Sequence, residues 1–266
     1  MIAPPIDPPT RRTLSAALFA LVLGVGAHAA HAQSTTPPAV PEWALPGSST
    51  HTQVPPPPGF HRPALTIHAP IGIFQGQTDV GTAVVPGSAG FDPASRQYTI
   101  HSAGYNIWYT RDEFRFLWTK MSGDVSLAAD ASFPDPEGYN DRKAVLVIRQ
   151  SLDDDAMEAV VGEHGTGMIH LAERDTQGGT MKDAQFRFGG TLANVKARRI
   201  GIEKRGDAIA ILISLQGEPM HPYGPPITLH FQEPFYVGIG FCSHLPAKVD
   251  TAVFSNVALD NAAGKF

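Results

Sequence analysis

The residues of this sequence that could do chemistry are scattered carboxylates, histidines and a few isolated aromatic rings. The densest group is Asp153-Asp154-Asp155, between the apolar runs "KAVLVIRQ" (143–150) and "AMEAVVGEH" (156–164). Three adjacent carboxylates can form a calcium loop, part of a catalytic acid pair, or a turn. A helix-flanked calcium loop wants carboxylates at alternate positions around a glycine, and neither feature is present. Between two strands Asp is favoured because its side chain bonds nearby backbone amides. The three aspartates therefore read as a solvated hairpin turn, which assigns a face to the strand before it.

His164 and His170 flank a Gly-Thr-Gly turn. Two histidines beside a hairpin can hold a metal, but the spacing shows no third ligand. Solvated or hydrogen-bonded imidazoles are the plainer expectation. There is no Gly-x-Ser-x-Gly elbow and no His-Glu-x-x-His pair. Glycoside hydrolysis normally needs two carboxylates facing one another, about 5–10 Å apart. Glu158 and Glu163 are five apart and fall on opposite faces of a regular strand. Glu173 and Asp175 share a face, but Asp175 already sits at a strand end.

Alternation positions the remaining polar groups. In "KAVLVIRQ" Ala144, Leu146 and Ile148 take one face, and Lys143, Val145, Val147 and Arg149 the other. In "GMIHLAER" (167–174) Ile169 and Leu171 read as core, which turns His170, Ala172 and Arg174 away from it. In "GDVSLAADASF" (123–133) the same logic leaves Ser126, Ala128 and Asp130 outside. Asn106 and Trp108 share a face in "YNIWYT". Trp118 shares parity with Phe114 and Phe116, a stripe that reads as core. A face carrying Trp108, Lys143, Arg149, His170 and Arg174, with Asn106 and Asp130 as second choices, suits sugar hydroxyls and a pyranose ring. A face that is polar because water covers it would show the same pattern.

The elements that must position these residues are strands. Short runs of period-two or continuous apolar character follow one another from about residue 64, punctuated by Gly, Pro, Asn and Asp. No segment has helical periodicity with caps, and no repeat of fixed length appears. This predicts one antiparallel all-β domain, a sandwich or barrel, over residues 64–262.

Ahead of it lie two other segments. Residues 1–32 read as a secretory signal: Arg11-Arg12, the apolar "TLSAALFALVLGVGA", then Ala30-His31-Ala32 before Gln33. The apolar run is short for a bilayer span, so no transmembrane segment is expected after cleavage. The arginine pair leaves Sec and Tat export both open. Residues 33–63, with four prolines at 55–58 and Trp43, read as a proline-rich disordered linker. The expected location is periplasmic or secreted. Cleavage removes Asp7, Arg11 and Arg12, leaving a chain one unit more negative than the whole sequence at −5. Such a mild acidic balance has no electrostatic footprint for nucleic acid and no polybasic cluster for an anionic membrane. The single cysteine, Cys242, allows no internal disulfide and reads as a buried small hydrophobe.

The stretches "GIFQGQTDVGTAVVPGSAGFD", "YNIWYTRDEFRFLWTKMSGDVSLAADASF", "RKAVLVIRQSLDDDA", "EPFYVGIGFCSH" and "TAVFSNVAL" occur in that order over residues 70–259. In order and spacing they resemble a bacterial branch of the concanavalin A-like lectin/glucanase superfamily, including modules that precede TolB-type propellers or accompany sugar-active enzymes. The resemblance implies a jelly-roll sandwich of two curved antiparallel sheets, with ligands, often glycans, at the concave sheet or its rim. The glucanases of that superfamily carry a Glu-x-Asp-x-x-Glu strand, which this sequence lacks. Many members hold a structural calcium, for which the candidates here are Asp79 and Asp250; no other cofactor is implied. The expected function is non-catalytic recognition of a carbohydrate or other envelope component. A sugar-active hydrolase and a structural or protein-interaction module are the alternatives, and the oligomeric state stays open.

Overall fold

The protein is described by a computed structural model over residues 61–185 and 197–266. The expected signal, and the linker up to residue 60 with Trp43, lie outside the described residues. No described residue is helical.

The strands are β1 (Leu65–Ile67), β2 (Gly76–Val80), β3 (Ser88–Asp92), β4 (Gln97–Ser102), β5 (Ile107–Trp108) and β6 (Arg111–Asp112). They continue with β7 (Phe114–Met121), β8 (Val125–Ser132), β9 (Lys143–Arg149), β10 (Glu158–His164), β11 (Ile169–Arg174) and β12 (Lys182–Gln185). The last six are β13 (Arg199–Arg205), β14 (Ala208–Ser214), β15 (His221–Pro222), β16 (Ile227–Thr228), β17 (Phe235–Cys242) and β18 (Asp250–Asp260). The first sheet runs β1-β2-β7-β17-β9-β10-β11-β12, and the second β15-β14-β13-β8-β18-β4-β3 with β16 also on β14. All pairings within them are antiparallel. The fold is an all-β sandwich, as the strand pattern predicts.

Alternation divides the first sheet cleanly. Ala144, Leu146, Ile148, Ala159, Val161, Ile169 and Leu171 face the second sheet and join Leu127, Ile200, Ile202 and Phe254 in the main core. Phe235, Val237, Ile239 and Phe241 of β17 do the same. The other face, which we call outer, is not bathed in water. Val80, Phe114, Phe116, Trp118, Val145, Val147, Val160, Ala172 and Cys242 form a second buried cluster on it. Phe114, Phe116 and Trp118 are thus core, but of this second cluster rather than the first.

Two devices fill the outer face. Large rings lie across glycines on neighbouring strands. A Cβ at Gly76 would stand 2.6 Å from the Trp118 ring, at Gly240 2.7 Å from Phe114, and at Gly162 2.7 Å from His170 Nε2. Glycine in a strand interior often marks such a close approach. The second device is the two-stranded hairpin β5–β6, separate from both sheets. Its Ile107 and Trp108 pack on the outer cluster. Glu113 N donating to Asn106 O closes the hairpin on itself, and Met181 N donating to Tyr109 O ties it to the segment before β12.

Asp112, at the end of this hairpin, anchors it. Arg174 donates to both its oxygens from Nη1 and Nη2, each at 2.8 Å. Arg149 Nη2 reaches Asp112 Oδ2 at 3.4 Å. Glu158 completes the group, 3.2 Å from Arg149 and 3.3 Å from Arg174. All four side chains have no exposed surface. The arginines also hold the loops above them. Arg149 donates to the carbonyls of Ser151 and Asp153, and Arg174 to those of Ala156 and Gly179. Burial, and then the charge of Asp112, push the Glu158 carboxyl up to about 8.

A buried ion pair that loses one partner leaves an uncompensated charge, which costs about 3–5 kcal/mol. Asp112→Asn is therefore expected to lose that much in urea unfolding, because two arginines depend on it. Glu158→Gln should cost far less. Glu158 holds its proton more tightly in the fold than in the unfolded chain, whose value is near 4.5. Its contribution is full below that value and is lost as pH rises through about 8. Unfolding measured at pH 5 and pH 8 should show a smaller fall for Glu158→Gln than for the native protein.

Candidate functional site

Beyond the Asp112 group, at the β9 start and β10 end, the outer face changes from apolar to polar. Register puts Lys143 between Cys242 of β17 and His164 of β10. His170 lies across from Gly162, next along that face of β10. Lys143 Nζ donates to Asn106 Oδ1 at 2.6 Å, to Asp141 O at 3.3 Å and to His244 Nδ1 at 3.3 Å. His244 stacks on Tyr139, with ring centres 5.2 Å apart and planes 10° apart. Trp108 stacks on His170 at 6.0 Å and 22°. His164 and His170 meet edge to face at 4.9 Å.

The electrostatics follow from burial beside carboxylates at the surface. Lys143, His164 and His170 are buried, while Asp141 and Asp183 are 45% and 38% exposed. Burial pushes the Lys143 ammonium below its ordinary value. Burial holds His164 down to about 3, so its ring is neutral at neutral pH. The approach of His164, 3.6 Å away, is the largest influence holding Asp141 at about 2. Burial raises the Cys242 thiol to about 12, against the pull of Lys143. A neutral His164 thus lies inside, with the carboxylates of Asp141 and Asp183 at the lip and a half-buried indole beside them. The arrangement can hydrogen-bond a polar ligand and stack against a ring.

Four of the residues singled out in the sequence meet here: Asn106, Trp108, Lys143 and His170. Arg149 and Arg174 are on the same face, as alternation requires, but both are wholly buried in the Asp112 group. Their donors serve carboxylates and loop carbonyls, so their role in this structure is to hold the hairpin and loops. Asp130 is elsewhere. It lies on β8 of the second sheet, 2.7 Å from Arg199 and bonded to Asn256.

The calcium candidates are also apart. Asp79 is on β2 of the first sheet and Asp250 on β18 of the second. The two strands are in different sheets and do not pair. Asp79 is 3.1 Å from Arg115 and accepts from Gly87 N. Asp250 is 2.8 Å from Arg142 and accepts from Thr251 N. The aspartate run does form the connection between β9 and β10, but it is not uniformly solvated. Asp154 is buried, accepting from His61 Nδ1 at 2.9 Å and Arg62 N at 3.1 Å. Its carbonyl accepts from Asp112 N. His61, Asp154 and Asp155 bring potential metal-binding atoms within 4.8 Å of one another, beside an open cavity of about 500 Å³. Both oxygens of Asp154 are already occupied by those protein donors.

Sequence reasoning missed Asp112, Asp141, Asp183, Tyr139 and His244. Each lies in a loop, a short hairpin or an edge strand, where no periodicity assigns a face. His164 was not among them, since the sequence pairs it with His170 across the Gly-Thr-Gly turn.

No protein-family model matches the chain, and no curated protein matches it. Among solved structures, it is similar to a functionally unknown protein from Saccharomyces cerevisiae, at 15% identity over 66% of this chain and 93% of that one, TM-score 0.48. It is similar to the carbohydrate binding module CBM66 from Bacillus subtilis, at 18% identity over 67% of this chain and 94% of that one, TM-score 0.41. It is also similar to a xylan beta-1,4-xylosidase from Bacillus halodurans C-125, at 15% identity, TM-score 0.48, over 78% of this chain and 41% of the xylosidase.

Proposed function

We propose that this protein is an exported, non-catalytic binding module of the concanavalin A-like kind, which takes a carbohydrate of the cell envelope at the polar end of its outer face. The observation that carries this reading is the half-buried Trp108, stacked on His170 with Asn106 and Lys143 beneath. An indole offers a flat apolar face for a pyranose ring. Asp141 and Asp183 at the lip offer acceptors for its hydroxyls, and His170 is fixed beside them by Asp183.

The centre of the outer face is a poor place for a ligand, because the hairpin and its ion group already occupy it. The same burial speaks against glycoside hydrolysis there. Asp112 and Glu158 are fully buried and shared between two arginines, whereas a hydrolytic pair must reach the sugar and water. Export and the proline-rich tether belong to this proposal on the strength of residues 1–63 of the sequence.

The test is a glycan array on the purified protein, including bacterial wall and capsule sugars, followed by calorimetry. We expect Trp108→Ala to weaken binding at least about tenfold, which corresponds to ~1.4 kcal/mol. Arg199→Ala on the second sheet should leave it unchanged. Binding to no glycan, or equal binding by Trp108→Ala, would overturn the reading.

A further inference from the structure

His164 and His170 are each 4% exposed, and neither Nε2 has a hydrogen-bond partner. A buried polar group left unpaired costs about 1–3 kcal/mol, so two on adjoining rings call for an account. Of the other two nitrogens, His170 Nδ1 is hydrogen-bonded to a carboxylate, whereas His164 Nδ1 only approaches one. His170 Nδ1 lies 2.7 Å from Asp183 Oδ1, and His164 Nδ1 lies 3.6 Å from Asp141 Oδ1. A carboxylate behind one ring nitrogen, with the other nitrogen unused, is the arrangement that surrounds metal-bound imidazole.

The rings are also at a fitting separation. Two imidazoles sharing one tetrahedral ion at Zn–N distances of about 2.0–2.1 Å have their centres roughly 5 Å apart. Here the centres are 4.9 Å apart and the planes inclined by 77°. Gly162 leaves His170 the room to lie over β10, on the strand that carries His164 two residues on.

We propose that His164 and His170 bind one divalent transition-metal ion, zinc(II) or copper(II), through their Nε2 atoms, with Asp183 and Asp141 as the carboxylates behind them. Imidazole nitrogen suits both ions, and copper(II) takes such donors more strongly than zinc(II). Two protein donors make an open site, whose remaining positions fall to water or to oxygen atoms of a ligand. The site borders the Trp108 platform but does not depend on the carbohydrate reading, since a metal can bind with no sugar present.

The experiment is a titration of the chelator-treated full-length protein with zinc chloride and copper chloride, without sugar, followed by calorimetry and by tryptophan fluorescence. We expect a single site for each ion, with copper(II) quenching emission from Trp108, whose ring stacks on His170. His170→Gln should weaken binding at least about tenfold, and Asp183→Asn, a change at the surface, about 10–100-fold. His61→Gln, in the separate group with Asp154 and Asp155, should leave binding unchanged, and so identify the site. Absence of binding by both ions would overturn the proposal. So would affinity that persists in both Asp183→Asn and His170→Gln, or affinity lost in His61→Gln. Failure of the glycan array would leave this result standing, so the two readings fall separately.

Discussion

Asp112 holds two arginines in a place with no access to water. The gain is geometric as much as energetic. A bidentate arginine–carboxylate pair fixes direction as well as distance, so β6 is placed over β9, β10 and β11 in one orientation. The hairpin then roofs Val145, Val147, Val160 and Ala172, and the outer face becomes a core in its own right. Everything at the rim inherits its position from this. Asn106 and Trp108 lie on β5 or directly before it, and they reach Lys143 and His170 because Asp112 holds the hairpin down.

The cost of that arrangement is visible in Glu158. Two carboxylates and two guanidinium groups could balance in charge, but the better hydrogen bonds go to Asp112. Glu158 has no contact as short as the two 2.8 Å bonds from Arg174 to Asp112, and it stays desolvated, which favours its protonated form. Buried ion groups are weak evidence for stability and stronger evidence for a preferred arrangement. Here the arrangement is the seating of a short hairpin that has no long strand of its own to pair with.

Much of the fold was legible because a strand has period two. "KAVLVIRQ" and "GMIHLAER" divide into two faces in the structure as they do on paper. What could not be read was the covering of the second face. A polar side chain on the far side of a sheet looks alike whether water, a ligand or another piece of the chain lies over it. Arg149 and Arg174 were assigned to the right face for this reason, yet what meets them is Asp112, 37 and 62 residues earlier in the chain. The hairpin that carries Asp112 has two residues per strand, too short to leave a pattern. The rim was legible in part, since Asn106, Trp108, Lys143 and His170 all emerge from parity. Asp141, Asp183 and His244 join them only through turns and an edge strand. The aspartate run misled in a different way. Its middle member faces inward, because Asp154 satisfies the arriving backbone at Arg62 and the side chain of His61.

The glycines beneath the rings carry a consequence for how this molecule can change over time. Trp118 over Gly76, Phe114 over Gly240 and His170 over Gly162 are each a single packing unit split between two strands. Neither half is free to drift alone. A larger residue beneath collides with the ring, and a smaller one above exposes bare backbone. Such positions are expected to be exchanged in pairs or not at all. The family of sequences compatible with this fold is therefore narrower than its loose, glycine-rich appearance suggests.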